Sequence, residues 1–136
     1  MITEMAVLAD CANIAAGEKL NVMGVFSKIG APQFPAVHPF MALVLRLRVE
    51  YEDGNRTHDF TVLMQDEDGR QFFKAEAKVP IPAIKAGATA HIHQVLNFAG
   101  VSFAKPGDYI FVVRWNGDEV SKVILTVEQV SPGSTP

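Results

Sequence analysis

The apolar residues of this chain follow a period of two along most of its length. The run over 40–50 shows it most clearly, with Leu43, Leu45, Leu47 and Val49 alternating with Arg46, Arg48 and Glu50. Successive side chains of a strand point to opposite faces, so this alternation predicts a strand with one buried face. Similar runs over 57–65 and 71–77 follow the turn residues 53–54 and 66–69. We predict that these three strands form an antiparallel meander.

Two earlier runs and three later ones extend this pattern. They cover residues 4–12, 20–29, 89–98, 109–115 and 120–128, and Asn116-Gly117 is a strong hairpin motif between the last two. Short strands at this spacing predict an all-β fold, a single antiparallel β-sandwich of about eight strands with immunoglobulin-like or related Greek-key topology. We assign residues 1–130 to this domain and 131–136 to a flexible tail.

The segment Pro106-Gly107-Asp108-Tyr109 stands directly before the strand predicted over 109–115. In immunoglobulin-like sandwiches a tyrosine near the start of the penultimate strand bonds to the backbone upstream and fixes a corner of the fold. We therefore expect Tyr109, Phe111 and Val113 to face the core. An ordinary turn followed by a half-buried tyrosine is the alternative.

Composition limits the function classes that this chain can serve. Of its 136 residues, 49% are apolar and 20% are charged, which fits one domain with an ordinary core and excludes disorder as the main state. The net charge of −3 gives no electrostatic drive towards nucleic acid. The single cysteine, Cys11, excludes an intramolecular disulfide framework and a multi-cysteine zinc site. It lies in an apolar run, so we expect a buried and unreactive thiol.

The mildly apolar segment over 5–16 does not have the character of a signal peptide. No Lys or Arg precedes it, and Asp10 interrupts it. No run reaches the roughly 18 apolar residues that a membrane-spanning helix requires. We expect a cytoplasmic protein without membrane association.

His91 and His93 are the first candidates for a functional site. Residues two apart on a strand project from one face, so both imidazoles could bind one metal ion. Two ligands do not complete a zinc site, and His38 or His58 would have to supply another. Two histidines on a solvated strand face are the simpler interpretation, which we favour.

The acidic segment 66–69, Asp66-Glu67-Asp68-Gly69, is the second candidate. Clustered carboxylates such as Asp66 and Asp68 can bind Ca²⁺, although a complete site needs six to eight oxygens. Asp53 or Asp118 would have to converge on the same loop. Ordinary turn chemistry explains the same residues, and we favour it over calcium binding.

Arg46 and Arg48 form a charged stripe that could bind an anion or an acidic partner. The alternative is a solvated sheet face whose charges discourage edge-to-edge pairing. The sequence has no nucleophile elbow, phosphate-binding glycine loop or dinucleotide motif, so we expect neither catalysis nor a cofactor. Asp10 and the histidines are the residues that an unrecognised enzyme would use. Trp115 is either a core residue or an exposed contact.

Four segments together resemble a bacterial family of small proteins of unknown function. They are 8–13 (Leu-Ala-Asp-Cys-Ala-Asn), 19–26 (Lys-Leu-Asn-Val-Met-Gly-Val-Phe), 66–69 and 106–109. The resemblance spans about residues 5–128 and implies a single β-rich domain. It implies no activity, cofactor or catalytic residue.

The resulting hypothesis is a non-enzymatic protein-interaction or structural module, because the strand over 109–115 is apolar on both faces. Its partner would be another protein or a second copy of the chain, with no nucleic acid and no membrane. The alternative is a β-sandwich that binds a metal or small ligand through His91 and His93 or through the segment 66–69.

Overall fold

The computed structural model describes residues 1–132, which fold into β-strands joined by turns. The strands are β1 (Ile2–Ala15), β2 (Lys19–Phe26), β3 (Lys28–Ala31), β4 (Ala36–Val49), β5 (Arg56–Asp66), β6 (Gln71–Ile81), β7 (Ala90–Phe103), β8 (Gly107–Trp115) and β9 (Asp118–Gln129). Two 3-10 turns cover Ala16–Glu18 and Tyr51–Asp53. The all-β prediction is confirmed. Residues 133–136, the last part of the predicted tail, lie outside the described residues.

The strands form two sheets, ordered β2-β1-β4-β7 and β3-β9-β8-β5-β6. The described chain has nine strands rather than eight, because the strand predicted over 20–29 is divided at Ser27 between the two sheets. The antiparallel prediction also needs a correction, since β3 pairs with β9 in parallel while the other pairings are antiparallel. β3 continues from β2 past Ser27 without a reversal of the chain, and in this direction it runs parallel to β9.

The predicted three-strand meander is wrong at its first connection. β4 lies between β1 and β7 in the first sheet, and β5 lies between β8 and β6 in the second. The turn Tyr51–Asp53 carries the chain across instead of closing a hairpin. The β5–β6 and β8–β9 hairpins form as predicted. Asn116 and Gly117 have φ of 51° and 86°, the left-handed backbone that a two-residue hairpin turn requires.

The core lies between the inner faces of the two sheets. Leu43, Leu45 and Leu47 of β4 are fully buried and pack against apolar residues of β5 and β8. Burial of each such side chain contributes roughly 1.5–3 kcal/mol relative to exposure. Tyr109 and Phe111 face the core as predicted. The Tyr109 hydroxyl donates to the Lys105 carbonyl at 2.7 Å and so fixes the start of β8.

The far ends of β1 and β2 form an arm, residues 10–24, which packs against the outer face of the first sheet. Ala12, Leu20 and Val22 of the arm contact an apolar cluster of β1 and β4 residues, and this contact covers the second apolar face of the sheet. The arm begins where Gly24 faces Asp10. Residue 24 has a φ of 72°, and a Cβ there would collide with the Asp10 carboxylate, so both the backbone and the space require glycine.

Asp10 and Cys11 are both exposed on this arm. The prediction of a buried Cys11 is therefore wrong. The apolar run around it covers the sheet with alternate residues only, and Cys11 lies on the solvent side of the arm. Within the described residues, the structure contains no helix with the length and hydrophobicity needed to cross a membrane.

Candidate functional site

The two sheets end on the same side of the sandwich in β6 and β7, and each of these strands has one free edge. A groove runs between them. At one end a cavity of about 520 Å³ lies between residues 77–81 of β6 and 90–94 of β7. At the other end a cavity of about 430 Å³ lies between Phe72 and Phe73 of β6 and residues 97–102 of β7. This side of the sandwich is therefore open at two places, while Phe73 and Phe98 contact each other across it with ring centroids 4.9 Å apart.

Small residues on the inner face of β6 keep the groove open. Ala75 and Ala77 pair with Val62 and Phe60 of β5, whose side chains point into the core. An alanine side chain is too short to span the distance of about 10 Å between packed sheets. As a result the inward residues of β7, such as Ile92, stay only half-buried.

The two edges differ in the protection that they carry against pairing. β6 presents Lys74, Glu76, Lys78 and Pro80 along its outer face. Charges and proline are the usual means by which a free edge avoids pairing with another chain. β7 is 14 residues long and contains no proline and no Lys, Arg, Asp or Glu. Its free edge is therefore a long, uncharged template for an additional strand.

The outer side of β7 carries a cluster that we call the rim cluster, formed by Glu4, Arg46, Arg48, His91 and His93. The register places Arg46 opposite His93 and Arg48 opposite His91. Arg46 Nε donates to Glu4 Oε1 at 2.9 Å, and Arg46 Nη1 donates to His93 Nε2 at 2.8 Å. Because a guanidinium can only donate, His93 Nε2 accepts and its ring proton lies on Nδ1. His91 Nε2 lies 3.0 Å from Glu4 Oε1.

The rim cluster favours negative charge. The hydrogen bond from Arg46 lowers the pKa of Glu4 below its ordinary value, and nearby His91 and Arg48 lower it further, against a smaller opposing effect of burial. Arg48 reaches Glu50 at 3.5 Å, yet its Nε is buried and has no acceptor among the described residues. The cluster therefore holds more donors than acceptors.

The structure thus places His91 and His93 on one face, as predicted. The side chain beside them is Arg46, and not a third residue that could bind a metal ion. His38 does not join the pair, because it lies opposite Val101, ten residues along β4 from Arg48, or roughly 30 Å away. Residues 1–132 contain no group of three or more His, Cys, Asp or Glu side chains arranged to hold a metal ion.

His58 cannot complete the pair either, since both of its ring nitrogens are engaged. It is fully buried, its Nε2 donates to the Asp53 carbonyl at 2.7 Å, and its Nδ1 accepts from Asn116 Nδ2 at 2.9 Å. Trp115 stacks on the ring at a centroid distance of 4.5 Å and is only 6% exposed. Trp115 is therefore a core residue, which answers the question that its position in the sequence left open.

The acidic segment 66–69 acts as a turn. Asp66 Oδ1 accepts hydrogen bonds from the backbone N–H groups of Asp68 and Arg70, each at 2.9 Å. The suggested convergence with Asp53 or Asp118 does not occur. Both of these lie near the start of β5, whereas Asp66 ends that strand, about 20 Å or more away.

Two features of this edge were missed in the sequence. Glu4 lies within the predicted strand over 4–12, but its partners Arg46 and His91 are distant along the chain. The lack of charge in β7 was readable, because residues 90–103 form a long stretch without Lys, Arg, Asp or Glu.

These observations define a class of protein, a two-sheet β-sandwich in which an uncharged edge strand borders an open side. Residues 4–128 match a family of unknown function (DUF6941), and the chain belongs to this family. A comparison with curated proteins gives no match.

Proposed function

We propose that this protein is a non-enzymatic interaction module that binds an extended segment of a partner protein along the free edge of β7. The observation that carries this proposal is the 14-residue strand β7, which is free on one side and has neither charge nor proline. In strand addition, backbone hydrogen bonds supply affinity, and pockets for alternate side chains supply specificity. The β7 edge and the adjacent groove provide both.

The groove supports a partner segment rather than a single contact point. Its two cavities lie beside residues 90–94 and 97–102 of the same strand. A strand rises about 3.3 Å per residue, so a segment of about ten residues would pass both cavities. Alternate side chains of that segment would fill the space that Ala75 and Ala77 leave free.

Two finer features of the fold belong to the same proposal. We infer an immunoglobulin-like Greek-key topology, supported by the hydrogen bond from Tyr109 at the start of the penultimate strand and by chain crossings between sheets after β4, β6 and β7. We also infer a cytoplasmic location, which suits an exposed free thiol at Cys11.

The experiment that tests the function begins with a random peptide library displayed on phage and selected on the purified protein. Selected peptides are synthesised and added to isotope-labelled protein, and backbone hydrogen exchange is followed by NMR. We expect slower exchange for amides of residues 90–103 and no change for residues 71–81. Failure to select any peptide, or protection confined to other strands, would overturn the proposal.

A second candidate function is binding of a small ligand or a metal ion at the same end of the groove. The observation that favours it is that His91 and His93 both line the cavity of about 520 Å³, a volume within the usual range for small-molecule sites. Titration with Zn²⁺, followed through the NMR signals of the two imidazole rings, tests the metal version. A His91→Ala/His93→Ala variant with the same affinity for Zn²⁺ would exclude these residues as ligands.

A further inference from the structure

We propose that the partner segment alternates apolar with acidic residues, and that the rim cluster selects its carboxylates. This inference rests on the proposed function, because it concerns the side chains of a strand already added to β7. The register of β7 determines which partner side chains face the groove and which face the rim cluster.

One set of partner side chains would enter the groove. Ile92, Gln94 and Leu96 lie opposite Leu47, Leu45 and Leu43, so their side chains are on the inner face of the first sheet. Partner residues beside them would point between the sheets, towards Val79 and Ile81, which are buried, and Ile84, which is half-buried. Apolar side chains suit this environment.

The other set would lie on the outer face beside His91 and His93. Side chains directly opposite in neighbouring strands have Cβ atoms about 5 Å apart, which is within reach of an imidazole. His93 Nδ1 carries a proton, since Nε2 accepts from Arg46, and this N–H has no acceptor among residues 1–132. A carboxylate on the partner would supply that acceptor.

Charge at this end of the groove supports the same assignment. Glu18 is the one acidic residue among those lining the larger cavity, which Lys78, His91 and His93 also line. The rim cluster already holds the carboxylate of Glu4 in a setting that favours its charged form, as its lowered pKa indicates. A carboxylate on the partner would meet donors of Arg46, Arg48 and the histidines that Glu4 and Glu50 together do not satisfy.

A second copy of this chain satisfies the site less well. Of the four strands with a free edge, β2, β3 and β7 contain no acidic residue, and Glu76 of β6 is flanked by Lys74 and Lys78. Two β7 edges paired with each other would bring histidines together without an acceptor. We therefore assign the site to a different protein with acidic residues in its binding segment.

Three synthetic peptides of about ten residues test this inference. They alternate valine with glutamate, with threonine or with lysine, carry blocked ends, and are titrated into the full-length protein by calorimetry. We expect the glutamate peptide to bind roughly tenfold or more tightly than the threonine peptide, as a charge-assisted hydrogen bond predicts, and the lysine peptide to bind most weakly. If none binds, the proposed function fails. If all three bind equally, or the lysine peptide binds best, the function stands and the inference fails.

Two variants locate the selectivity. His91→Ala/His93→Ala should abolish the preference for glutamate over threonine while the threonine peptide binds as before. Glu4→Gln should have the opposite effect, because it frees the donors of Arg46 and His91, and the glutamate peptide should bind more tightly. Glu128→Gln is the matched control, since it removes an exposed carboxylate that pairs with Lys28 on the other sheet. An equal gain in Glu128→Gln would reduce the effect to net charge and would overturn the local assignment.

Discussion

β6 and β7 border the same groove and each has one free edge, yet only the sequence of β6 carries residues that prevent pairing with another strand. β6 alternates charged residues with small ones and ends near Pro80, so its outer face resists pairing and its inner face leaves space. β7 carries no formal charge other than what its two histidines can acquire. One strand is built to remain unpaired, and the other retains the properties of an interior strand. An open edge thus indicates binding only where this protection is missing.

The largest expected effect comes from giving β7 the protection of β6. Gln94→Lys/Asn97→Lys places one charge towards the groove and one on the outer face, and we expect selected peptides to lose at least roughly a hundredfold in affinity. The free energy of unfolding should change little, because Asn97 is exposed and Gln94 is only half-buried. Calorimetric titration and urea denaturation measure the two quantities.

Met23→Lys/Val25→Lys is the matched control for that variant. Both residues are exposed, at 69% and 61%, on the free edge of β2. Equal loss of binding in this control would mean that total charge, rather than the β7 edge, controls affinity.

The reverse exchange removes protection from β6. Lys74→Thr/Lys78→Thr/Pro80→Val leaves an uncharged, donor-rich edge on that strand except at Glu76. We expect the weight-average mass in sedimentation to rise about twofold at high protein concentration, because an unprotected edge pairs with another copy. Lys105→Thr/Arg114→Thr removes the same charge from a turn and from β8, which is paired on both sides, and should stay monodisperse. An unchanged mass for the β6 variant would show that these residues do not protect the edge.

A smaller effect is expected from filling the groove. Ala77→Leu extends an apolar side chain from β6 towards β7 and should weaken peptide binding about tenfold, with stability unchanged or raised by up to about 1 kcal/mol through added burial. Ala104→Leu, in an exposed turn, is the control. Thermal denaturation and peptide titration measure the two effects, and tighter binding by Ala77→Leu would contradict the assignment of the groove.

The smallest effects concern pH, and they have opposite signs on the two strands. The pKa of Glu4 beside β7 is lowered, chiefly by Arg46, so its contribution to stability is present above the ordinary glutamate pKa and is lost as pH falls through the lowered value. The pKa of Lys78 on β6 is raised by its hydrogen bond to Asp59, so its contribution is present below the ordinary lysine pKa and is lost as pH rises through the raised value.

Melting temperatures measured across pH check both signs. Glu4→Gln should remove part of the acid-side loss, and Lys78→Met should remove part of the alkaline-side loss. Both changes should be small because the groups are solvent-screened. A steeper acid-side loss in Glu4→Gln would contradict the stabilising role of this ion pair.

The face of each strand could be predicted from sequence, and its neighbours could not. The alternation in β4 and the position of Tyr109 identified buried residues correctly, because side-chain direction depends only on the local period of two. The placement of β4 and β5 in different sheets depends on pairings with β7 and β8, which lie far along the chain. No local pattern contains that information.

The candidate site shows the same limit. The spacing of His91 and His93 identified two side chains on one face correctly, and their metal-binding role stays a prediction. Their nearest partners, Glu4 and Arg46, come from β1 and β4 and depend on the register of three strands. A one-residue slip of β7 would have moved both histidines to the inner face.

The parallel pair of β3 and β9 has a consequence for synthesis. Lys28 pairs with Thr126, so β3 cannot pair until residues 126–129 of β9 have left the ribosome. Contacts between such distant segments slow folding, because the loop between them must close first. The pairing that joins β3 to the second sheet therefore forms only once β9 is available.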